Sequence, residues 1–374
     1  MSKAWSRWVP AAVAVVVVAG AAIAVPAVAN ASVSLPTKTP AQVLQLVASS
    51  KVTALSGTVA ETSDLGLPSL PAGSTPVGAG SGTAADLALL TGPNSLRVYV
   101  DGNKKIRVQD LGTLAERDII RNNSDVWVYN SKDNSVEHAT IAPQSNQHFA
   151  RPGATPPAVT PGNSTPNATL DPADVTPEGI ATGLLARLKS SSTVTVGDDV
   201  RVAGRPAYDL VLTPKVTDTL IGSVSIAVDA ETGLPLQVQV DARGQKTPAV
   251  SIGFSTLDLS TPDASLFEFT PPAGATVTEL NKHQVGPRTT GPKPHVTKPT
   301  ETVTGRGWDA VVSIAAGGSL GSLAKSSEFA ELTTAVDGGR VLHTSLFNVL
   351  FTTDGRVIAG SVSIARLQEV ATGS

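Results

Sequence analysis

The chain has no cysteine in its 374 residues. That absence removes disulfides, thiolate metal ligands, thiol nucleophiles and a lipidated N-terminal cysteine together. Aromatic residues are scarce at 4% and charged residues at 16%, with a net charge of −3. A balance so near neutrality leaves no basic footprint for nucleic acid. The five histidines are scattered, and no H-E-x-x-H, Walker A, G-x-G-x-x-G or calcium-loop pattern occurs. No metal or cofactor is therefore expected. What abounds is glycine (33) and proline (27) beside many serines and threonines, a mixture that suits a β-rich extracytoplasmic protein with long loops.

The first 31 residues have the grammar of an export signal. Lys3 and Arg7 form a short positive region, and Val9 to Ala29 is an uncharged apolar run. Ala27-Val28-Ala29 and Ala29-Asn30-Ala31 both match the small-x-small pattern of a cleavage site. Cleavage after Ala31 is expected, with an uncleaved anchor as the alternative, since about 20 apolar residues can span a bilayer. Either way the charge placement leaves the remainder outside the cytoplasm.

Two amphipathic helices announce themselves by the same device. Thr39-Pro40 opens one, with Val43, Leu44, Leu46 and Val47 on its apolar side. Thr176-Pro177-Glu178 opens the other, with Ile180, Leu184, Leu185 and Leu188 in a stripe. Threonine as N-cap with proline at the first helical position favours initiation at both places. The rest reads as strands: Leu87–Thr91, Ser95–Asp101, Lys104–Gln109, Arg117–Arg121, Asp125–Asn130, Ser135–Ile141, Asp199–Val202, Pro206–Thr213, Ala249–Leu259 and Leu266–Phe269. About a dozen strands with short connections and two helices exclude a layered α/β fold. The expected class is mainly β with a few helices (α+β), built on one large, strongly curved antiparallel sheet.

Two stretches cannot support a core. Residues 142–173 are rich in Pro, Ser, Thr and Asn and read as an insertion, and residues 281–307 form a Pro- and Lys-rich linker. Beyond the linker, residues 308–374 form a small α+β unit. There Trp308–Ala315 and Glu328–Ala335 are expected as helices, while Val341–Thr352 pairs with Arg356–Ile364 through the Asp354-Gly355 turn. The domains are thus 1–31 (signal peptide or N-terminal anchor), 32–280, 281–307 and 308–374.

Candidate chemistry is thin. Gly317-Gly318-Ser319-Leu320-Gly321 matches G-x-S-x-G, and Asp337 and His343 follow in hydrolase order. The nucleophile elbow needs a strand before the serine, whereas the preceding segment reads as helix, so an esterase using Ser319 is only a remote alternative. His283 and His295 as metal ligands, and the pairs Asp198/Asp199 and Glu116/Asp118, read more simply as solvated side chains. No catalytic residue is assigned.

The plainest signal is Val224–Asp241. Val224, Ile226 and Val228 alternate with small residues, and Leu234, Leu236, Val238 and Val240 alternate with Pro235 and glutamines. Asp229 to Gly233 supplies the turn between them. This is a hairpin with one apolar side, and another sheet, a helix or a non-protein occupant could cover that side.

The residues also resemble a family. LSGTV (Leu55–Val59), SLRVYVDG (Ser95–Gly102), the Val126–Ser131 run, GRPAYDLVL (Gly204–Leu212), VDAETGLPLQVQV (Val228–Val240), PDASLFEFTPPAGATV (Pro262–Val277) and VLFTTDGRVIAGSV (Val349–Val362) are similar in order and spacing to actinobacterial members of the LolA/RseB-type lipoprotein-carrier superfamily. The resemblance implies an unclosed half-barrel, its concave side covered by short helices and able to accept acyl chains. It implies a non-enzymatic cell-envelope protein that binds lipid or lipoprotein, or an RseB-like sensor acting on a membrane anti-sigma factor. On that expectation Val43, Val47, Ile180, Leu184 and Leu188 face the sheet. Val224, Ile226, Val228, Leu234, Leu236 and Val238 then line the lipid-binding wall. A membrane surface is a further expected partner, through the N-terminal segment.

Overall fold

The computed structural model describes residues 34–67, 94–111, 116–140, 176–280, 301–315 and 332–373. The expected export segment 1–31, the Leu87–Thr91 strand, the insertion at 142–173 and Ser319 with its glycines lie outside the described residues, as do residues 281–300 of the linker.

Two meanders make the large sheet. The first runs β1 (Ala54–Ser63), β2 (Asn94–Asp101), β3 (Lys105–Leu111), β4 (Glu116–Asn122), β5 (Asp125–Asn130) and β6 (Ser135–Thr140). The second comprises β7 (Ser192–Val196), β8 (Val200–Val202), β9 (Arg205–Pro214), β10 (Ile221–Asp229), β11 (Pro235–Ala242) and β12 (Val250–Asp258). They join along one seam, where β1 lies antiparallel to β12 from Ser56↔Asp258 to Ser63↔Val250. The thirteenth strand, β13 (Thr276–Glu279), closes the first meander's outer edge against β6. The two outermost strands of the ordered path, β13 and β7, are not paired with each other, so the sheet is not closed into a barrel. Among the described residues the fold is mostly β with three helices; the mainly β class follows from the alternation, whereas the third helix, Ile364–Thr372, is not among the expected ones.

Several details depart from the sequence reading, among them residues 301–304, placed in the linker, which form a strand of the second sheet. The sheet is mixed rather than wholly antiparallel, because β13 runs parallel to β6 with Thr276↔Ser135 in register. Leu266–Phe269 is not a strand: Ala264–Phe267 forms a 3₁₀ turn capped by Asp263, whose side chain accepts from the Ser265 amide. The supposed helix Trp308–Ala315 is a 3₁₀ turn at Gly307–Asp309 followed by strand β15 (Val311–Ala315). Thr334 and Ala335, expected at a helix end, begin strand β16 (Thr334–Val336). In the last two cases β-branched residues pair with a neighbouring strand, and long-range pairing outweighs local pattern.

A second sheet of six strands takes the order β14-β15-β19-β18-β17-β16. Its members besides β15 and β16 are β14 (Glu301–Thr304), β17 (Gly339–His343), β18 (Asn348–Thr352) and β19 (Arg356–Gly360). Val311, Leu350, Ile358, Val362 and Leu367 form its core, the last from helix α3 (Ile364–Thr372). The two sheets touch. Ser361 O accepts from the Leu220 amide and the Thr219 hydroxyl at 2.8 Å each. Leu346 packs with Leu65, Ala242 and Ala249 of the large sheet.

Candidate functional site: the helix-covered face of the second meander

Helix α1 (Pro40–Ala48) begins with a reciprocal cap. Thr39 Oγ1 accepts from the Gln42 amide (3.3 Å), and Gln42 Oε1 accepts from the Thr39 amide (2.8 Å). Helix α2 (Pro177–Leu188) uses Thr176, whose hydroxyl accepts from the Gly179 amide at 3.1 Å. Both caps match the sequence reading.

The two helices bury one apolar cluster with the strands. Val43 of α1 and Ala181 of α2 are fully buried with Tyr208, Leu210 and Leu212 (β9), Val224, Ile226 and Val228 (β10), Val238 (β11) and Trp308. Val47, Ile180, Leu184 and Leu188 pack around it partly buried. Alternation explains the strand contribution: residues two apart along β9 and β10 point the same way, and Val224↔Leu212, Ile226↔Leu210 and Val228↔Tyr208 stand opposite one another.

Leu234 and Leu236 do not join this cluster. Both are fully buried, but in a neighbouring one with Leu55, Val59, Val98, Ala227 and Phe254. The cause is a bulge. The β10–β11 register passes from Ala227↔Gln237 to Val228↔Pro235, leaving Leu236 unopposed. An extra residue of this kind breaks the two-residue alternation locally and re-aims the strand. The hairpin's expected single wall is therefore divided between two adjacent apolar clusters.

The hairpin turn is fastened by charge. Asp229, fully buried, accepts from Arg205 Nε (2.5 Å) and Nη2 (3.0 Å), from the Glu231 and Thr232 amides, and from the Thr232 hydroxyl. Burial pushes its carboxyl up, but the bonds from Arg205 and Thr232 outweigh burial and hold it below the ordinary value. The N-terminal segment before α1 is also tied down. The Leu35 amide donates to Asp199 at 2.7 Å, and Tyr208 Oη donates to Pro36 O at 3.0 Å. Burial, then the nearby Asp199 carboxylate, raises the Tyr208 hydroxyl.

Sequence reasoning missed Tyr208, Leu210, Leu212 and Trp308 as members of the site. The first three were legible as alternation within GRPAYDLVL. Trp308 had no local signal, because it belongs to the turn between β14 and β15 of the second sheet. Its indole Nε1 donates to Ser192 Oγ at 2.9 Å, and Ser192 Oγ donates to Leu188 O at the end of α2 at 2.6 Å.

Of the remaining candidates, Glu116, Asp118, Asp337 and His343 make contacts within the fold, whereas His283, His295 and Ser319 lie outside the described residues. Asp118 is buried and ion-paired with Arg107, whose Nη1 also donates to Leu266 O. Glu116 accepts from Gln109. His343 is hydrogen-bonded to Asn348 (2.6 Å), and Asp337 stands at the β16–β17 turn, where its carbonyl accepts from Gln368. Among the described residues no group of three His, Asp or Glu side chains could hold a metal ion, and no helix is long and apolar enough to cross a membrane.

No family model and no curated protein matches the chain. Solved structures with a similar arrangement include the MucA/MucB complex of Pseudomonas aeruginosa, at 15% identity and TM-score 0.43, covering 89% of this chain and 96% of that one. An uncharacterized conserved protein from Thermus thermophilus aligns at 11% identity and TM-score 0.34, covering 64% and 98%. A LolA superfamily protein from Nitrosomonas europaea aligns at 11% and 0.23, covering 62% and 99%.

Proposed function

We infer that this is an exported, non-enzymatic cell-envelope protein that binds lipid or lipoprotein acyl chains against the inner face of its open sheet. The observation that carries the reading is the cover. The apolar face of β9, β10 and β11 is overlaid by two short amphipathic helices. Helices held mainly by aliphatic contact can shift without breaking a ladder of backbone bonds, and an acyl chain replaces the contacts they surrender. Each methylene so buried is worth about 0.8 kcal/mol. Val43, Val224, Ile226, Val228 and Val238 are all almost inaccessible to solvent, so the reading requires α1 and α2 to move aside before an acyl chain can enter. Native mass spectrometry of protein purified gently from its own host tests the reading. Extra mass matching an acyl chain or lipid is the expected result, and a clean unliganded mass counts against it.

A second reading has its own observation. Among the described strands of the small sheet β14 is outermost, with Val303 57% exposed on it. An open edge with an apolar side chain suits strand addition by a protein partner, and an RseB-like regulator would present such an edge to a membrane anti-sigma factor. Val303→Lys should then abolish recovery of that partner in a pull-down. Unchanged recovery removes this surface from consideration.

A further inference from the structure

We propose that His138, carrying both ring protons, is a pH-dependent clasp on β13, the strand that ends the large sheet. The clasp stands at the opposite end of the sheet from the helix-covered face and does not depend on acyl binding. Every residue of β13 is exposed, and among the described strands it pairs with β6 alone. Its backbone is held at the two ends, where the Thr276 amide donates to Asn134 O at 3.0 Å and the Leu280 amide to His138 O at 2.8 Å. Between them the side-chain tie is Glu279, whose Oε1 and Oε2 lie 3.0 and 2.9 Å from His138 Nδ1.

The other ring nitrogen also faces an acid, with Nε2 3.0 Å from Asp125 Oδ1 on β5. An ionised carboxylate only accepts, and a neutral imidazole has a single N–H, so only the imidazolium can donate on both sides. The surroundings favour that form. Trp127 stacks on the ring at 3.8 Å, and a cation over an indole face is attracted by its quadrupole. None of β5, β6 and β13 contains lysine or arginine, so His138 alone among these strands can bring positive charge to the two acids. From β5 the ring meets Asp125 and Trp127, and from β13 it meets Glu279. Glu137, next to it on β6, points to the opposite face of the sheet. The imidazole is 14% exposed, against 46% for Asp125 and 38% for Glu279, so water reaches the acids far more than the ring.

Histidine changes charge close to neutrality. When the ring gives up a proton as pH rises, one nitrogen turns a lone pair toward a carboxylate. Either neutral tautomer forfeits one of the two bonds, and the survivor loses its charged donor. The hold on β13 is therefore full in mild acid and weaker above neutrality. Each opening of β13 leaves β6 as the outer edge, its backbone groups free to pair with another strand.

NMR of the full chain at about pH 5.5 and about pH 8.5, on either side of the ordinary histidine range, tests the clasp. The His138 ring nitrogens, assigned by comparison with His138→Gln, should show an imidazolium at the lower pH and a neutral ring at the higher. Amide protection factors at Thr276–Glu279 should fall about 2- to 12-fold between the two, the span of one ordinary hydrogen bond. Glu279→Gln should flatten that fall, because a carboxamide can face either a ring N–H or a ring lone pair. A ring whose charge is the same at both pH values overturns the clasp, as does an equal fall in wild type and E279Q.

Discussion

Gly233, in the β10–β11 turn, lies directly beneath the carbonyl of Leu46 in helix α1. A β-carbon at Gly233 would overlap that oxygen, and the residue's φ is +75°. The glycine is required twice over, by its left-handed backbone and by the close approach of the helix. Gly233→Ala should therefore lift α1 from the hairpin and cost about 2 kcal/mol. Denaturant midpoints report the cost, and faster amide exchange confined to Pro40–Ala48 and the hairpin locates it.

Asp229 and Arg205 make the hairpin's buried charge pair. Asp229→Ala leaves the guanidinium with Glu231 as its remaining carboxylate and strips the turn's amides of their acceptor. The expected loss is about 3 kcal/mol. The carboxyl sits below its ordinary value in the folded chain, so its contribution is present at neutral pH. That contribution fades as pH falls below about 4 toward the lowered folded value. A pH titration of wild-type and D229A stability should show the difference shrinking in acid.

Asp209 behaves in the opposite sense. Burial above all pushes its carboxyl up to about 6; the bond from Ser225 opposes the shift, and the neighbouring Asp241 and Asp198 carboxylates add to it. The folded chain then holds a proton that the unfolded chain has already released, so stability from this group falls as pH rises from about 4 to 6. Asp209→Asn should remove that slope and stabilise the protein at pH 7 by about 1 kcal/mol, allowing for solvent screening. Equal pH slopes for the two proteins would refute the assignment.

His138 fastens the parallel edge strand. Its Nδ1 faces Glu279 Oε2 at 2.9 Å on β13, its Nε2 faces Asp125 Oδ1 at 3.0 Å on β5, and its ring stacks on Trp127 at 3.8 Å. His138→Ala should free Thr276–Glu279 to exchange amide protons while leaving β9–β12 protected. Protection that survives at Thr276–Glu279 would show that backbone pairing alone holds the strand.

Much of the architecture was legible in short windows. The Thr-Pro caps place α1 and α2, and Thr353-Asp354-Gly355 does join β18 to β19. Short windows failed where a distant partner decides. Ser192–Val196 is a separate case: it reads S-T-V-T-V, a short alternating β-branched run passed over beside the helix before it, and it pairs with β9 from Ser192↔Pro214 to Val196↔Leu210. The bulge at Leu236 depends on β10 opposite, so alternation within β11 alone assigns Leu234 and Leu236 to the wrong cluster. Trp308 is the extreme case. Its place in the site follows from how two sheets dock, which no periodicity records.

The seam between β1 and β12 has a consequence for how the chain comes into being. All of the first meander is synthesised before β12 exists, so β1 must emerge with one edge unpaired and wait while the remainder is made. Loop closure over such a separation is slow and leaves unpaired edges exposed meanwhile. The first meander should therefore be the aggregation-prone half of a nascent chain. The second meander, β9 to β12, supplies the partner edge that ends this exposure once β12 is made.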